Sequence, residues 1–354
     1  MSIIFMPKYT EKAASSRYRT YQYLKYFDQK EFKVCPLFDD SYVPAKHIYG
    51  KQSKSYIIKR YLLRMGVLLK ISNSVIFLEK EFFPYLPFMR LIFKLMKVKY
   101  IVDYDDAIFH RYDQNKNIFI KAFFKNKIAN VIKNAKGVIT GSPYLTEYAL
   151  KFNKNVFEIP TSIDFSRYEN AAKSSNVANK FIIGWIGSKT TSINLIPLIP
   201  VFKELSLKSI HYELRFIGFD TELENKFKGL PIRFIKWSKS IEIKEIANFS
   251  LGIMPLDDND FNRGKCAFKL IQYMASGVPT ISTPFESNKK VDRGNGNLFA
   301  STNDEWLNCF ERAYRNPEAF KSVGFKNRLT VKEFYSIQSN SEHLLEYIQK
   351  MQSS

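Results

Sequence analysis

The sequence is poor in cysteine and histidine. Three cysteines, Cys35, Cys266 and Cys309, stand far apart among 354 residues, beside four histidines. An odd, scattered set of this kind builds neither a disulfide framework nor a CxxC metal pair, and so few histidines leave a zinc site without ligands. That usage fits a reducing compartment, and a cytoplasmic location is expected. No window of about 18 uncharged apolar residues occurs, so no membrane-spanning helix is expected. The opening apolar run "IIFMP" is far shorter than the hydrophobic region of a signal peptide and reads as a first strand. Short-period repeats and low-complexity tracts are absent as well.

Acidic residues are the other shortage. Lys and Arg number 54 against 34 Asp and Glu, a net charge of +20. Residues 1–170 carry 29 against 15, a net +14, and the remainder 25 against 19, a net +6. Between 51 and 136 the count is 18 against 6. A basic half rich in aromatics suits nucleic acid, an anionic membrane surface, or neither, since the codon usage of an AT-rich genome also inflates lysine. Hydrophobic residues at 45% and charged residues at 25% are a globular composition, and the length accommodates two domains with a core each.

What is present is alternation. In the first half, "SIIFM", "FKVCP", "SVIFLE", "KYIVDYD", "KGVITG" and "NVFEIP" are short β-branched or aromatic runs. Helical patterns lie between them, including "SRYRTYQYLKYFD", Pro84 to Lys97 and "NIFIKAFFKNKIANVIKNA". The polar segment 169–180 reads as a linker. The alternation then restarts with "FIIGWIG", a helix from Ser192 to Leu205, "ELRFIGF", "IRFIKW", a helix from Ile241 to Asn248, "SLGIMPL" and "VPTIST". This pattern predicts two Rossmann-like α/β domains with parallel sheets, 1–168 and 181–330, and a helical tail over 331–354. Ligands of such sheets bind beyond the carboxyl ends of the strands, at loops leading into helix N-termini.

Two of those loops have the composition of anion cradles. "FNRGKCAFKLIQYMASGVPTIST", residues 261–283, places Arg263, Lys265 and Lys269 at the mouth of a short helix. The macrodipole already makes a helix start positive, so added cations there favour an anionic ligand. Gly264, Ala267 and Phe268 supply backbone, and Gln272 follows Lys269 by about one turn. After "FIIGWIG", the run Gly187-Ser188-Lys189-Thr190-Thr191 offers close backbone approach, a cation and hydroxyls, although hydroxyls before a helix are also ordinary N-caps.

"GKCAFKLIQYMASGVPTIST", with "IGWIGS" upstream, resembles the donor-binding half of glycosyltransferase family 4, which has the GT-B fold. "YMASGVP" matches the family's small-residue turn, and "ASSRYRTYQYL", "DYDDAIF", "GSPYLTEYA" and "IPTSID" extend the likeness over nearly the whole chain. The resemblance implies two domains facing across a cleft, with C-terminal helices packing back. It implies transfer from a nucleotide-diphosphate sugar to a glycan or lipid-linked acceptor in surface polysaccharide synthesis, such as capsule, lipopolysaccharide or exopolysaccharide. Retention at the anomeric carbon and independence of metal and cofactor come with it. The family's two glutamates, eight positions apart, fall on Gly264 and Gln272. Gln272 can still bond ribose hydroxyls, whereas Gly264 has no side chain for the donor sugar, and Asp257, Asp258 or Asp260 would take its place.

On this reading Lys189, Lys269 and Lys265 meet the donor diphosphate together with Gly187, Ser188 and the helix start at Ala267 and Phe268. Trp237 either closes the base pocket or packs in the core. In the first domain, Ser16, Arg17 and Arg19 face the acceptor or phosphate side. Asp105 or Asp106 orients or deprotonates the acceptor hydroxyl, or else one caps the next segment and the other pairs with a cation. His110 reads as structural. No carboxylate nucleophile is evident, which favours a same-face substitution assisted by the leaving phosphate.

The basic aromatic run 81–100 is either a helix covering the sheet or a peripheral contact with an anionic inner membrane. Two other functions fit parts of the sequence. A catalytically inactive glycosyltransferase-like subunit is compatible with Gly264 and Gln272. A nucleic-acid-binding protein is compatible with the charge, but no nucleic-acid motif appears.

Overall fold

The computed structural model describes residues 2–28, 30, 32–42, 44–45, 52–70, 74–86, 93, 96–171 and 180–353. The chain divides into two compact units: Met1–Ser162 with Arg263–Cys266 and Asn340–Ser354, and Ile163–Asn262 with Ala267–Ser339. The boundary falls at 162/163, before the expected 168/169, and the expected C-terminal tail is shared between the units. Of the expected linker, residues 172–179 lie outside the described residues, as do 87–92 and 94–95 of the basic aromatic run.

The first unit carries strands β1 (Ser2–Met6), β2 (Phe32–Val34), β3 (Ser74–Glu79), β4 (Lys99–Tyr104), β5 (Gly137–Thr140) and β6 (Val156–Glu158). They form one parallel sheet in the order β2-β1-β3-β4-β5-β6. Its helices are α1 (Ala14–Arg19), α2 (Lys54–Leu69), α3 (Ile118–Phe124), α4 (Lys127–Asn134) and α5 (Pro143–Leu150). Ser53 starts α2 by accepting from the Tyr56 N–H, and Asn117 starts α3 by accepting from Phe119 and Ile120, each satisfying donors that the first turn leaves without a partner. Strand β3 is buried from Val75 to Glu79 because helices cover both faces of a parallel sheet. Phe5 packs edge-on to Phe27 and Phe32 and tilted against Phe77.

The second unit repeats the plan with β7 (Phe181–Ile186), β8 (Tyr212–Ile217), β9 (Ile232–Ile235), β10 (Leu251–Met254), β11 (Thr280–Ser282) and β12 (Leu298–Phe299). The order is β12-β11-β10-β7-β8-β9, again all parallel. Strand β12, two residues long, has no counterpart in the sequence reading. The helices are α6 (Ile199–Leu207), α7 (Glu242–Ala247), α8 (Phe268–Ala275), α9 (Glu286–Asp292), α10 (Asn303–Arg315), α11 (Pro317–Phe334) and α12 (Ile337–Ser353). The helix expected from Ser192 to Leu205 is instead a 3₁₀ run, Lys189–Leu198, followed by α6. Pro197 and Pro200 each lack an amide hydrogen, so an α-helix does not run through them unbroken.

Side chains of β7 alternate between two cores. Ile182 and Ile186 join one with Ile217, Phe249 and Tyr273, while Ile183 and Trp185 join the other with Leu214, Phe216, Leu251 and Ile253, as the two-residue period of a strand requires. Gly184 and Gly252, paired across β7 and β10, stand on the first of these faces. A Cβ at Gly184 would lie 2.0 Å from the Phe249 ring, and one at Gly252 would lie 2.5 Å from Tyr273. Two aromatic rings therefore rest directly on backbone. From Asn340 onward, α12 belongs to the first unit, where the Tyr347 hydroxyl accepts from the Val138 N–H at 3.0 Å and donates to the Asn155 carbonyl at 2.6 Å.

Gly184→Ala and Gly252→Ala should each lower stability by about 1–3 kcal/mol through overpacking. Gly66→Ala, in the middle of α2 with nothing within 4 Å of the added carbon, should raise it by about 1 kcal/mol. Thermal midpoints of the three variants check both signs.

Candidate functional site

Each sheet reverses its direction of growth once, and the strands beside that point carry most of the candidate residues. In the second unit the reversal lies between β7 and β10. The two strands pair only at Leu251–Ile183 and Gly252–Gly184. Beyond the glycines, the Tyr273 hydroxyl of α8 accepts from the Ile186 N–H at 2.9 Å and donates to the Ile253 carbonyl at 3.2 Å. Such a reversal is where open α/β sheets bind ligands.

Three loops leave this edge. After β7, Gly187 packs so closely that a Cβ would meet the Trp185 ring at 2.2 Å and Thr191 Oγ1 at 2.7 Å. Ser188 and Thr191 form a capping box at the start of the 3₁₀ run. After β8, Gly218 has φ +71°, and a Cβ there would lie 2.5 Å from the Gly187 carbonyl oxygen. After β9, Trp237 Nε1 donates to Glu242 Oε2 at 2.6 Å, and Gln272 Nε2 donates to Glu242 Oε1 at 3.2 Å. Glu242 and Gln272 are both buried, while Trp237 is half-exposed. Trp237 therefore reaches a carboxylate with its polar edge rather than sitting in the core.

Helix α8 begins at Ala267, in the left-handed region at φ +53°, with no acidic residue in the first turn and no side-chain cap among the described residues. Lys269 places its ammonium 4.8 Å from the centre of the buried Trp185 ring, the same ring that abuts Gly187. Lys269 and the Gly187 loop therefore converge on this ring. Lys189 lies on the exposed side, 2.6 Å from Glu222 and 3.5 Å from Asp220. The hydrogen bond it donates to Glu222 raises its pKa above the ordinary lysine value.

Lys265 stands elsewhere. The helical turn Asp260–Arg263 closes before it, and residues 263–266 belong to the first unit. Its ammonium is 2.7 Å from Asp106, a carboxylate of its own unit. Gly264 beside it has a steric explanation. A Cβ there would lie 2.6 Å from the Ala107 Cβ and 3.2 Å from the Ala107 nitrogen. No side chain fits at 264, glutamate included.

The first unit gathers charge at the ends of β1, β3 and β4. Glu79 accepts from the Lys8 amide, from Ser16 Oγ at 2.6 Å and from Ser15 Oγ at 2.9 Å. Ser15 Oγ is also 2.6 Å from Asp105 Oδ2 and accepts from Lys80. Lys80, buried at φ +66°, reaches Asp105 at 2.8 Å and Asp106 at 3.8 Å. Cys266 Sγ donates to the Asp105 carbonyl. Burial alone would pull the Lys80 ammonium down, but Asp105 and Asp106 outweigh it and hold its pKa above the usual value. Burial likewise pushes Asp105 up, and Lys80 with Ser15 overcomes it, leaving the carboxyl well below the usual range.

These contacts reassign two residues expected on the acceptor or phosphate side. Ser16 is fully buried and bonds Glu79, and Arg19 is buried with its guanidinium forked onto Asp103 and its third nitrogen on the Ile159 carbonyl at 2.8 Å. A charge so deep needs such a partner to exist. Arg17, the outer of the pair, donates to the Glu11 carbonyl and lies over the Tyr18 ring. His110 bridges Asp113 and Tyr144, as a structural histidine would.

Sequence reasoning missed Glu79, Lys80 and Lys8. "LEKE" closes β3 and opens the loop after it, so the strand-end rule alone would have singled out the first two. Burial, aided by Lys80 and Arg111 against Glu81 and Glu79, lowers Lys8 to about 8, a perturbation typical of functional lysines. Glu242 was also missed, because nothing in sequence ties it to Gln272, thirty positions away.

No protein-family model matches this sequence, and no curated protein does. Solved structures do match. HepE from Anabaena, solved in complex with UDP, superposes with a TM-score of 0.73 at 11% identity, over 99% of this chain and 100% of that one. A glycosyltransferase from Rickettsia africae gives 0.70 at 13% over 99% and 98%. Sucrose-phosphate synthase from Thermosynechococcus elongatus gives 0.72 at 10% over the whole of both chains. The fold is GT-B.

Tyr273→Phe should cost about 1–3 kcal/mol, because the Ile186 N–H is then buried without an acceptor. The pH dependence of the Asp105–Lys80 pair has a definite sign. A carboxyl lower in the folded state stabilises above the unfolded value near 3.9 and is lost as pH falls through the folded one. A raised lysine stabilises below about 10.4 and is lost above it. Thermal midpoints should therefore fall below about pH 4, and Asp105→Ala should flatten that acid slope while costing about 3 kcal/mol at neutral pH, because Lys80 is left with only Ser15 Oγ and the more distant Asp106.

Proposed function

We propose that this chain transfers a sugar from a uridine-diphosphate donor to an acceptor hydroxyl. The observation that carries the reading is the convergence of Lys269, the uncapped start of α8 and Gly187 at the reversal of the second sheet. A departing nucleotide diphosphate gains negative charge as the glycosyl bond breaks, and fixed N–H dipoles with a cation are what stabilise it. The fold neighbours support the choice of nucleotide: HepE was solved with UDP and with UDP-glucose, and a trehalose-6-phosphate protein from E. coli was solved with UDP-2-fluoro glucose.

In this mechanism Lys269 and the α8 start hold the diphosphate, with Ser188 and Gly187 beside it. Lys189 swings to the phosphates from an exposed, solvent-screened pair that costs little to break. The Gln272 amide and Glu242 face the nucleoside, with Trp237 against the base. The acceptor oxygen attacks the anomeric carbon, the carbon–phosphate oxygen bond breaks, and that phosphate oxygen takes the hydroxyl proton on the same face. Configuration is retained, and no metal or cofactor enters. Asp105, held ionised by Lys80, is a weak base, so it and Asp106 position the acceptor side. The reading extends to family 4 and to a glycan or lipid-linked acceptor of a bacterial surface polysaccharide. Gly264, which leaves the donor sugar without the family's first glutamate, favours one rival: a subunit that binds donor without transferring it.

UDP should raise the thermal midpoint by mass action, worth about 2.7 kcal/mol at a hundredfold excess over Kd, and more than GDP, ADP or CMP do. Lys269→Ala should abolish that shift and slow transfer from UDP-glucose about 10²–10³-fold. Absence of a shift with any nucleotide would overturn the reading. A UDP shift without turnover would select the non-catalytic rival.

A further inference from the structure

Helix α2 is apolar on its outward face. Its inward face pairs the fully buried Leu68 with Arg64, 3% exposed, which donates to the carbonyls of Pro7, Phe82 and Cys35. Arg60 donates to Leu37 and Pro36, and Tyr61 to Pro84. Its outward face carries Ile58, Leu62, Leu63 and Leu69, with Leu62 at 67% and Leu69 at 74% exposure. Ile58, Leu62 and Leu69 stand four and seven residues apart and share one helical stripe, which Leu63 widens. A surface helix of a globular unit normally keeps its outward face polar.

Helix α3 repeats the feature, with Ile118, Phe119 and Phe123 each more than 70% exposed. Segment 82–86 ties the two helices to one flank. Tyr61 of α2 stacks on Phe83, Lys127 at the start of α4 donates to the Phe83 carbonyl, and Tyr85 lies edge-on to Phe124 of α3. Tyr85 and Leu86 are exposed between them. Exposed apolar area on this scale marks an interaction surface.

Charge identifies the occupant. Residues 41–78, which include α2, hold seven Lys or Arg and no Asp or Glu, and residues 114–146, which include α3 and α4, hold six and none. Lys54, Lys59 and Lys70 are exposed around the apolar stripe of α2, and Lys121 and Lys125 around that of α3. A second copy of the chain would set these lysines against their own kind across a symmetric interface. We propose that this flank of the first unit docks on an anionic lipid bilayer, its leucines and phenylalanines entering the interface and its lysines meeting the headgroups. No helix among the described residues is long and apolar enough to cross a membrane, so the contact is peripheral. It rests on α2 and α3 alone and is independent of the proposed transfer reaction.

The test is co-sedimentation of the full chain with vesicles of phosphatidylcholine, with and without phosphatidylglycerol, alongside light scattering of the free protein. The wild-type chain should sediment only with the anionic vesicles and less so at high salt. Leu62→Ser with Leu63→Ser, and separately Phe119→Ser with Phe123→Ser, should weaken binding at least about tenfold. These side chains are already exposed, so thermal midpoints and the UDP shift should stay unchanged. Lys54→Gln, Lys59→Gln and Lys70→Gln together should remove the preference for phosphatidylglycerol. Absence of binding to either vesicle, or equal binding by the serine variants, would overturn the proposal. So would a wild-type dimer that the serine variants convert to monomer.

Discussion

One tyrosine oxygen holds the second sheet in the shape that a binding site requires. Strands β7 and β10 run together for two residues and then separate, which leaves the Ile186 N–H and the Ile253 carbonyl without each other. Both would be buried polar groups at a cost of about 1–3 kcal/mol each. Tyr273 accepts from one and donates to the other. It reaches them only because Gly252 has no side chain under its ring, and Phe249 fits beside it only because Gly184 has none. The opening at the strand ends, the approach of Gly187 to Trp185 and the seat of Lys269 over that same ring all depend on this arrangement.

The first unit meets the same requirement with charge instead of aromatic packing. Carboxylates of Glu79, Asp103 and Asp105 are largely withdrawn from water, and each is answered by hydroxyls, an ammonium or a guanidinium. Isolated ions in such a place would take up or lose protons rather than stay charged. Lys80 adopts a left-handed backbone that a lysine does not favour, and its bonds to Asp105 and Ser15 are what fix it there. The strand-end loop is thereby tied down by paired charge, and beside it burial lowers the Lys8 pKa to about 8.

The sequence reading reached the architecture because strands buried on both faces are dense in Ile, Val and Phe, and because turn residues bound them. Ten of the twelve strands lie within runs singled out in this way, and β8 starts one residue before its run. It missed β12, which is too short to show a pattern, and it mistook 3₁₀ structure for α-helix where two prolines interrupt the hydrogen bonds. Gly187 and Ser188 follow a strand and Lys269 opens a helix, as read from the sequence, because such junctions are local features. Ser16 and Arg19 were misplaced for the converse reason. Their partners, Glu79 and Asp103, lie 63 and 84 positions away, and no local spacing shows that a polar side chain will be consumed by a distant carboxylate.

The two positions where family glutamates were expected illustrate the same limit from the physical side. At 264 the backbone runs against Ala107, so the residue must be glycine whatever chemistry is wanted there. At 272 the neighbour decides. The Gln272 amide donates to Glu242 at 3.2 Å, in a site where both are buried. A glutamate at 272 would press a second carboxylate against the first, and two carboxylates at that distance cannot both ionise without a large rise in one pKa. The amide keeps a single charge at this place, gives Glu242 a donor, and has a carbonyl oxygen able to accept from a hydroxyl. Gly264 is thus set by space and Gln272 by charge, and one buried carboxylate stands beside Gln272, contributed by α7 rather than α8.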